Sequence, residues 1–95
     1  MKKIWCTERT WEANKIELLF EELLKKNGFN VIGIKEYQSK TDYLIGKDGT
    51  ECEFSIPHID NKKSRAKLCY KNFVEYYNIK VEYERLKAKY EQIKF

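Results

Sequence analysis

Five cations stand within ten residues of the stretch "DNKKSRAKLCYK": Lys62, Lys63, Arg65, Lys67 and Lys71, with no acid between 62 and 71. Ammonium and guanidinium groups at that density neutralise phosphates or acidic side chains without reading base sequence. The stretch opens a helical pattern, and the free N–H groups of a helix start favour anions as well. Cations in a first turn oppose the helix dipole, so local stability does not account for them. An anionic partner does, whether a nucleic-acid backbone or an acidic protein. The competing reading is the solvated face of a Lys-rich protein.

Other candidates for chemistry are weaker. Glu51 and Glu53 read most simply as the wet face of one antiparallel strand. His58, the single histidine, follows Pro57 and reads as a loop residue without a Cys or Ser partner. Cys6, Cys52 and Cys69 form an odd, widely spaced set with no CxxC pair, which argues against a structural zinc site and for reduced thiols. With no Gly-rich phosphate loop and no triad, the expectation is a non-enzymatic protein with no catalytic residues, no metal and no cofactor.

The elements that must carry these residues are legible from periodicity. Ile16, Leu19, Phe20, Leu23 and Leu24 share one face of a helix near residues 10–27. Thr10 is one possible cap; Asn14, with Glu17 three residues on, is the other. "LLKKNGF" marks the stop, Gly28 taking the left-handed position and Phe29 folding back onto Leu24. Trp11 and Leu18 fall on the opposite side of that helix, to be covered by the N-terminal segment or left as a patch. Residues 30–57 switch to a period of two. Ile32 and Ile34 point the same way, Asp48-Gly49 makes a hairpin turn, and Cys52, Phe54 and Ile56 face the core while Glu51, Glu53 and Ser55 face water. Pro57 ends the third strand. From Lys62, capped by Asp60 or Asn61, the stripe Ala66, Cys69, Tyr70, Phe73, Val74 and Tyr77 covers the sheet. The fold class is therefore α+β, in the order α-β-β-β-α, as one domain over residues 1–95 with its core in 10–77.

The last segment, 78–95, carries a second stripe. Ile79, Tyr83, Leu86, Tyr90 and Ile93 step by four, three, four and three, and lie about 150–200° around from the first stripe at 100° per residue. No straight helix presses both stripes on one sheet. Either the chain breaks near Asn78 and the segment folds back as a third helix, or the last helix runs on and projects. The lack of Gly or Pro favours the second, leaving an a/d-like seam for another surface: a second copy in a dimer or a different protein. Tyr76, Tyr83 and Tyr90 share one side of it, and such aromatic residues anchor protein interfaces.

The chain's net charge of +4 is unevenly placed. Residues 1–61 carry 9 basic and 11 acidic groups, residues 62–95 carry 10 and 4. The N-terminus holds no apolar run of signal or membrane-spanning length, so a cytoplasmic protein, away from membranes, is expected.

The order α-β-β-β-α over residues 10–78, with "KKSRAK" opening the last helix, resembles a double-stranded-RNA-binding domain. That resemblance implies that Lys62, Lys63 and Lys67 touch phosphates across the major groove. Here the last helix is Tyr-rich where that family's is Ala-rich, and the first carries Glu12, Glu17, Glu21 and Glu22. The same start is similar to nucleases of the PD-(D/E)xK type, which implies metal-binding roles for Asp42 and Glu53; Ser55 stands where that chemistry uses Lys. In size and in its Lys-, Ile-, Tyr- and Asn-rich make-up the chain is similar to small phage proteins that block host defence complexes, such as anti-CRISPR proteins. The function expected is a stoichiometric inhibitor or adaptor that engages a protein or nucleoprotein complex through its basic, Tyr-rich last helix.

Overall fold

Asn14 starts the first helix and Gly28 stops it. In the computed structural model, which describes residues 5–58 and 63–93 apart from the side chains of Lys63, Gln92 and Ile93, α1 spans Lys15–Lys26. The Glu17 N–H donates to the Asn14 side chain at 2.9 Å, and the Asn14 N–H donates to the Glu17 carboxylate at 3.1 Å. This reciprocal capping box satisfies two amides that the helix leaves unpaired. It also settles the start: Asn14 is the cap, not Thr10, so Trp11 precedes the helix instead of riding on its face. At the far end Gly28 takes φ 84. The Phe29 N–H donates to the Leu24 carbonyl at 2.9 Å and the Gly28 N–H to the Lys25 carbonyl at 3.2 Å. These two bonds form a Schellman stop, and Phe29 joins Leu24 in the core, as the sequence predicts.

Three antiparallel strands follow in the order β1-β2-β3: β1 Asn30–Glu36, β2 Lys40–Lys47 and β3 Thr50–Pro57. The β2–β3 turn places Asp48 at φ 51 and Gly49 at φ 81, both left-handed, which suits the right-handed twist of a hairpin. Cys6 pairs with Ile34 on the outer edge of β1 through backbone bonds of 3.0 and 2.9 Å.

One expectation fails in β1. Val31 pairs with Ile45 and Gly33 with Leu44, so Ile32 is the extra residue of a β-bulge. The bulge shifts the alternation by one. Val31 packs against the core and Ile34 is buried in it, while Ile32 is exposed and does not share Ile34's face. Gly33 is required where it stands, because a Cβ there would come within 2.5 Å of the Trp5 Cβ.

The last helix, α2, is a single unbroken element, Lys63–Ile93, of 31 residues. At about 1.5 Å per residue it is about 46 Å long, close to the 52 Å longest dimension of the molecule. Asp60 and Asn61, the expected caps, lie outside the described residues. Ala66, Cys69 and Phe73 are buried, and Tyr70, Val74 and Tyr77 pack around them. Both helices lie on one sheet face, joined by rings: Phe73 is 5.1 Å from Phe29 and 5.5 Å from Phe54, and Phe20 is 5.4 Å from Tyr43 between centroids. The result is α-β-β-β-α, an α+β fold with a three-stranded sheet. Among the described residues, no helix is long and apolar enough to cross a membrane.

Candidate interaction site on helix α2

Helix α2 outlasts the core it helps to build. Its last fully buried residue is Phe73, and Tyr77 marks the end of core packing, its hydroxyl donating to the Lys47 carbonyl at 3.3 Å. From Asn78 to Glu91 no side chain is buried. The stripe lies in this stretch: Ile79 is 69% exposed, Tyr83 64%, Leu86 53% and Tyr90 66%, with Tyr76 at 44% just before it. Scattered exposed apolar residues need no explanation, but five on one side of one helix form a continuous surface. The Ile93 side chain lies outside the described residues. Lys80, on the flank toward the body, donates to the Glu51 carbonyl of the β3 edge and anchors the root of the projection.

The five cations are not all brought together. Lys67 and Lys71 are exposed and one turn apart. Arg65 is two positions from Lys67, which turns it to the other side of the helix; it is half-buried, and its Nε is buried without a partner among the described residues. Lys62 and the side chain of Lys63 lie outside the described residues. In place of Arg65, the fold supplies a cation from α1: Lys26 and Lys67 line one groove of about 330 Å³ with Leu19, Leu23, Ala66 and Glu22. Its floor is apolar, and its rim carries two lysines beside Glu22 and Ser64.

Two polar clusters escaped the sequence reading. Glu17, beyond its capping role, is buried and accepts a hydrogen bond from the Thr41 hydroxyl of β2. The Thr41 Oγ1 in turn lies 2.6 Å from the His58 Nε2, and that nitrogen is 3.9 Å from the Glu17 carboxylate. Thr41 thus stands between the carboxylate and the ring, whose other nitrogen, Nδ1, faces the Gln38 carbonyl at 3.3 Å. His58 is thus no idle loop residue: with its backbone N–H on the Ser39 carbonyl at 2.8 Å, it ties the end of β3 to β2 and α1. A hydroxyl, an imidazole and a carboxylate are the parts of a nucleophilic site, but here the hydroxyl is the middle member and is fully buried, so no substrate reaches it. One turn along α1, Glu21 accepts from the Tyr43 hydroxyl at 2.9 Å and pairs with Arg9. Burial and the Glu21 and Glu17 charges push the Tyr43 phenol far above its ordinary range. For Arg9, burial works against the charge, and the Glu21 contact outweighs it, raising the guanidinium's pKa.

Asp42 and Glu53 do meet at one cleft of about 360 Å³, with Lys40, Phe54, Ser55 and Tyr76. Asp42 is buried, accepts from the Ser55 hydroxyl and has Lys40 Nζ at 3.5 Å from Oδ1. Protein groups therefore engage its Oδ1. Among the described residues no three His, Cys, Asp or Glu side chains converge as metal ligands would. The thiols fall as the pattern predicts, Cys6 exposed, Cys52 and Cys69 buried, and burial raises the Cys52 pKa.

Compared with known proteins, the chain matches no family model, no curated protein and no solved structure. Its functional reading therefore stands on its own residues.

Proposed function

We propose that this protein is a non-enzymatic binding protein, a stoichiometric inhibitor or adaptor that engages a protein or nucleoprotein complex inside a bacterial cell through α2. The observation that carries the reading is the exposed stripe Ile79–Tyr83–Leu86–Tyr90 on a helix that has left its own core after Tyr77, with Tyr76 at its root beside the Asp42–Glu53 cleft. An apolar-aromatic surface held out rigidly costs solubility unless another macromolecule covers it. The polar clusters support the same reading from the other side. Glu17, Thr41, His58, Glu21 and Tyr43 satisfy one another inside the fold, which leaves them the work of stability and leaves α2 as the surface with something to do.

Exposed Lys67 and Lys71, with Lys26 nearby, face the acidic component of such a partner, whether carboxylates or a nucleic-acid backbone. Blocking of a host defence complex, in the manner of an anti-CRISPR protein, is the biological role this size and charge pattern suits. A direct nucleic-acid binder is the second reading, favoured by those same lysines. Affinity capture from the native host tests the first: Leu86→Asp with Tyr90→Asp releases the captured complex, and retention of the complex by that variant overturns it. Binding of the purified chain to duplex DNA and RNA tests the second. Affinity that falls steeply with salt and is lost in Lys67→Glu with Lys71→Glu supports it, and no binding at low salt removes it.

A further inference from the structure

We propose that the seam on α2 is covered by the same seam of a second copy, the two helices running parallel as a short two-stranded coiled coil. The inference rests on α2 being a contact helix, and it names what the seam contacts. A heptad fits the exposed stripe without a stutter. Tyr76, Tyr83 and Tyr90 take the a positions, and Ile79 and Leu86 take the d positions, all exposed in the monomer. The repeat is 3.5 residues, as a left-handed pair of helices requires.

Charge decides between a copy running parallel and one running antiparallel. The positions flanking the seam are Glu75 and Glu82 at g and Lys80 and Lys87 at e. In a parallel pair each g residue meets the e residue five places later in the other helix, which sets Glu75 against Lys80 and Glu82 against Lys87, twice over by symmetry. An antiparallel pair sets e against e, and both of these e positions are Lys. Glu82 also pairs at 2.6 Å with Arg85 of its own helix, which sits at a c position away from the seam, an exposed contact that the second copy's Lys87 shares or replaces. Lys80 reaches the Glu51 carbonyl in the monomer, so Glu82–Lys87 is the pair with both members free of the body. By sequence the next pair, Lys89 with Lys94, is like-charged, so the register is carried by the two pairs nearer the domain.

The geometry suits this occupant. From Ile79 on, the seam residues stand clear of the body, while Tyr76 at the root still lines the cleft beside β2 and β3, so the second helix packs chiefly along Ile79 to Tyr90. Tyrosine at a positions packs its ring in the seam and turns its hydroxyl to water at the edge. From Tyr76 to Tyr90 the seam is about 21 Å long at about 1.5 Å per residue. That is short beside the interfaces of obligate dimers, so association is concentration-dependent. The pairing leaves exposed Lys67 and Lys71 of both copies clear of the seam, doubling the cationic stripe offered to an acidic partner.

Sedimentation of the purified chain, residues 1–95, across a concentration series tests the proposal, with no host partner present. The expected result is a monomer–dimer equilibrium that Leu86→Asp with Tyr90→Asp abolishes. Lys87→Glu sets acid against acid in a parallel pair and weakens the dimer about three- to tenfold; Glu82→Lys in the same chain reverses the charges and restores it. Tighter dimers from Lys87→Glu alone mean antiparallel helices and overturn the orientation. A chain that stays monomeric at its highest soluble concentration overturns the dimer. If that monomer still loses its host partner on the Leu86→Asp, Tyr90→Asp change, the seam takes a different protein and the binding function stands. If it keeps its partner, both readings fall.

Discussion

Phe73 and Tyr83 lie ten residues apart on the same unbroken helix, and one is fully buried while the other is 64% exposed. The helix serves the core through the first and nothing within its own chain through the second. Replacement by Ala separates the two roles. Phe73→Ala removes a ring packed among Phe20, Phe29 and Phe54 and costs about 3–5 kcal/mol in denaturant unfolding. Tyr83→Ala changes stability by less than about 0.5 kcal/mol in dilute solution.

The Thr41 hydroxyl stands between a buried carboxylate and an imidazole. Thr41→Val keeps the shape and deletes the hydroxyl, leaving Glu17 one donor short in a buried site. An unsatisfied buried acceptor costs about 1–3 kcal/mol, read as a lower denaturant midpoint at unchanged slope. Thr41→Ser, which keeps the hydroxyl, recovers most of the loss.

Tyr43 makes stability depend on pH in the alkaline range. Its phenol, raised by burial and then by Glu21 and Glu17, keeps its proton in the folded chain when an exposed tyrosine loses its own. The unfolded chain therefore sheds a proton above pH 10, the ordinary value. The Tyr43 contribution is complete below that pH and is lost as pH rises past it, by about 1.4 kcal/mol per pH unit. Tyr70 and Tyr77, raised by burial, add to the same slope. Tyr43→Phe lowers stability at neutral pH by the bond to Glu21, and shows a shallower decline above pH 10 in unfolding measured at a series of pH values.

How much of this was written in local pattern differs from residue to residue. Gly28 and Phe29 announce the helix stop because a left-handed C′ position selects Gly and its follower folds back. The continuity of α2 is legible because nothing between Lys63 and Ile93 breaks a helix, and the two stripes on it differ in angle enough to need two different covers. The bulge at Ile32 leaves no such trace: "VIGIKE" alternates on paper, and only pairing with β2, around Trp5 lying over Gly33, decides which residue is the extra one. The Glu17–Thr41–His58 chain is equally silent, since it joins residues from a helix, a strand and a strand end at separations of 17 and 24 positions. The capping box already spoke for Glu17, but one of its oxygens reaching β2 is a tertiary fact. The cations show a third case: a cluster in sequence becomes a divided set on a helix, Arg65 turning away from Lys67.

The central claim is that the stripe from Ile79 to Tyr90 belongs to an interface and not to the fold. Thermal unfolding of Leu86→Asp with Tyr90→Asp, at low micromolar concentration where self-association contributes little, tests it most directly. The account predicts a Tm within about 3 °C of the unaltered chain, since a change worth less than about 0.5 kcal/mol moves a domain of this size no further. A drop of 10 °C or more, on the order of 2 kcal/mol by the same scaling, would mean that Leu86 and Tyr90 are held by their own chain, and would contradict it.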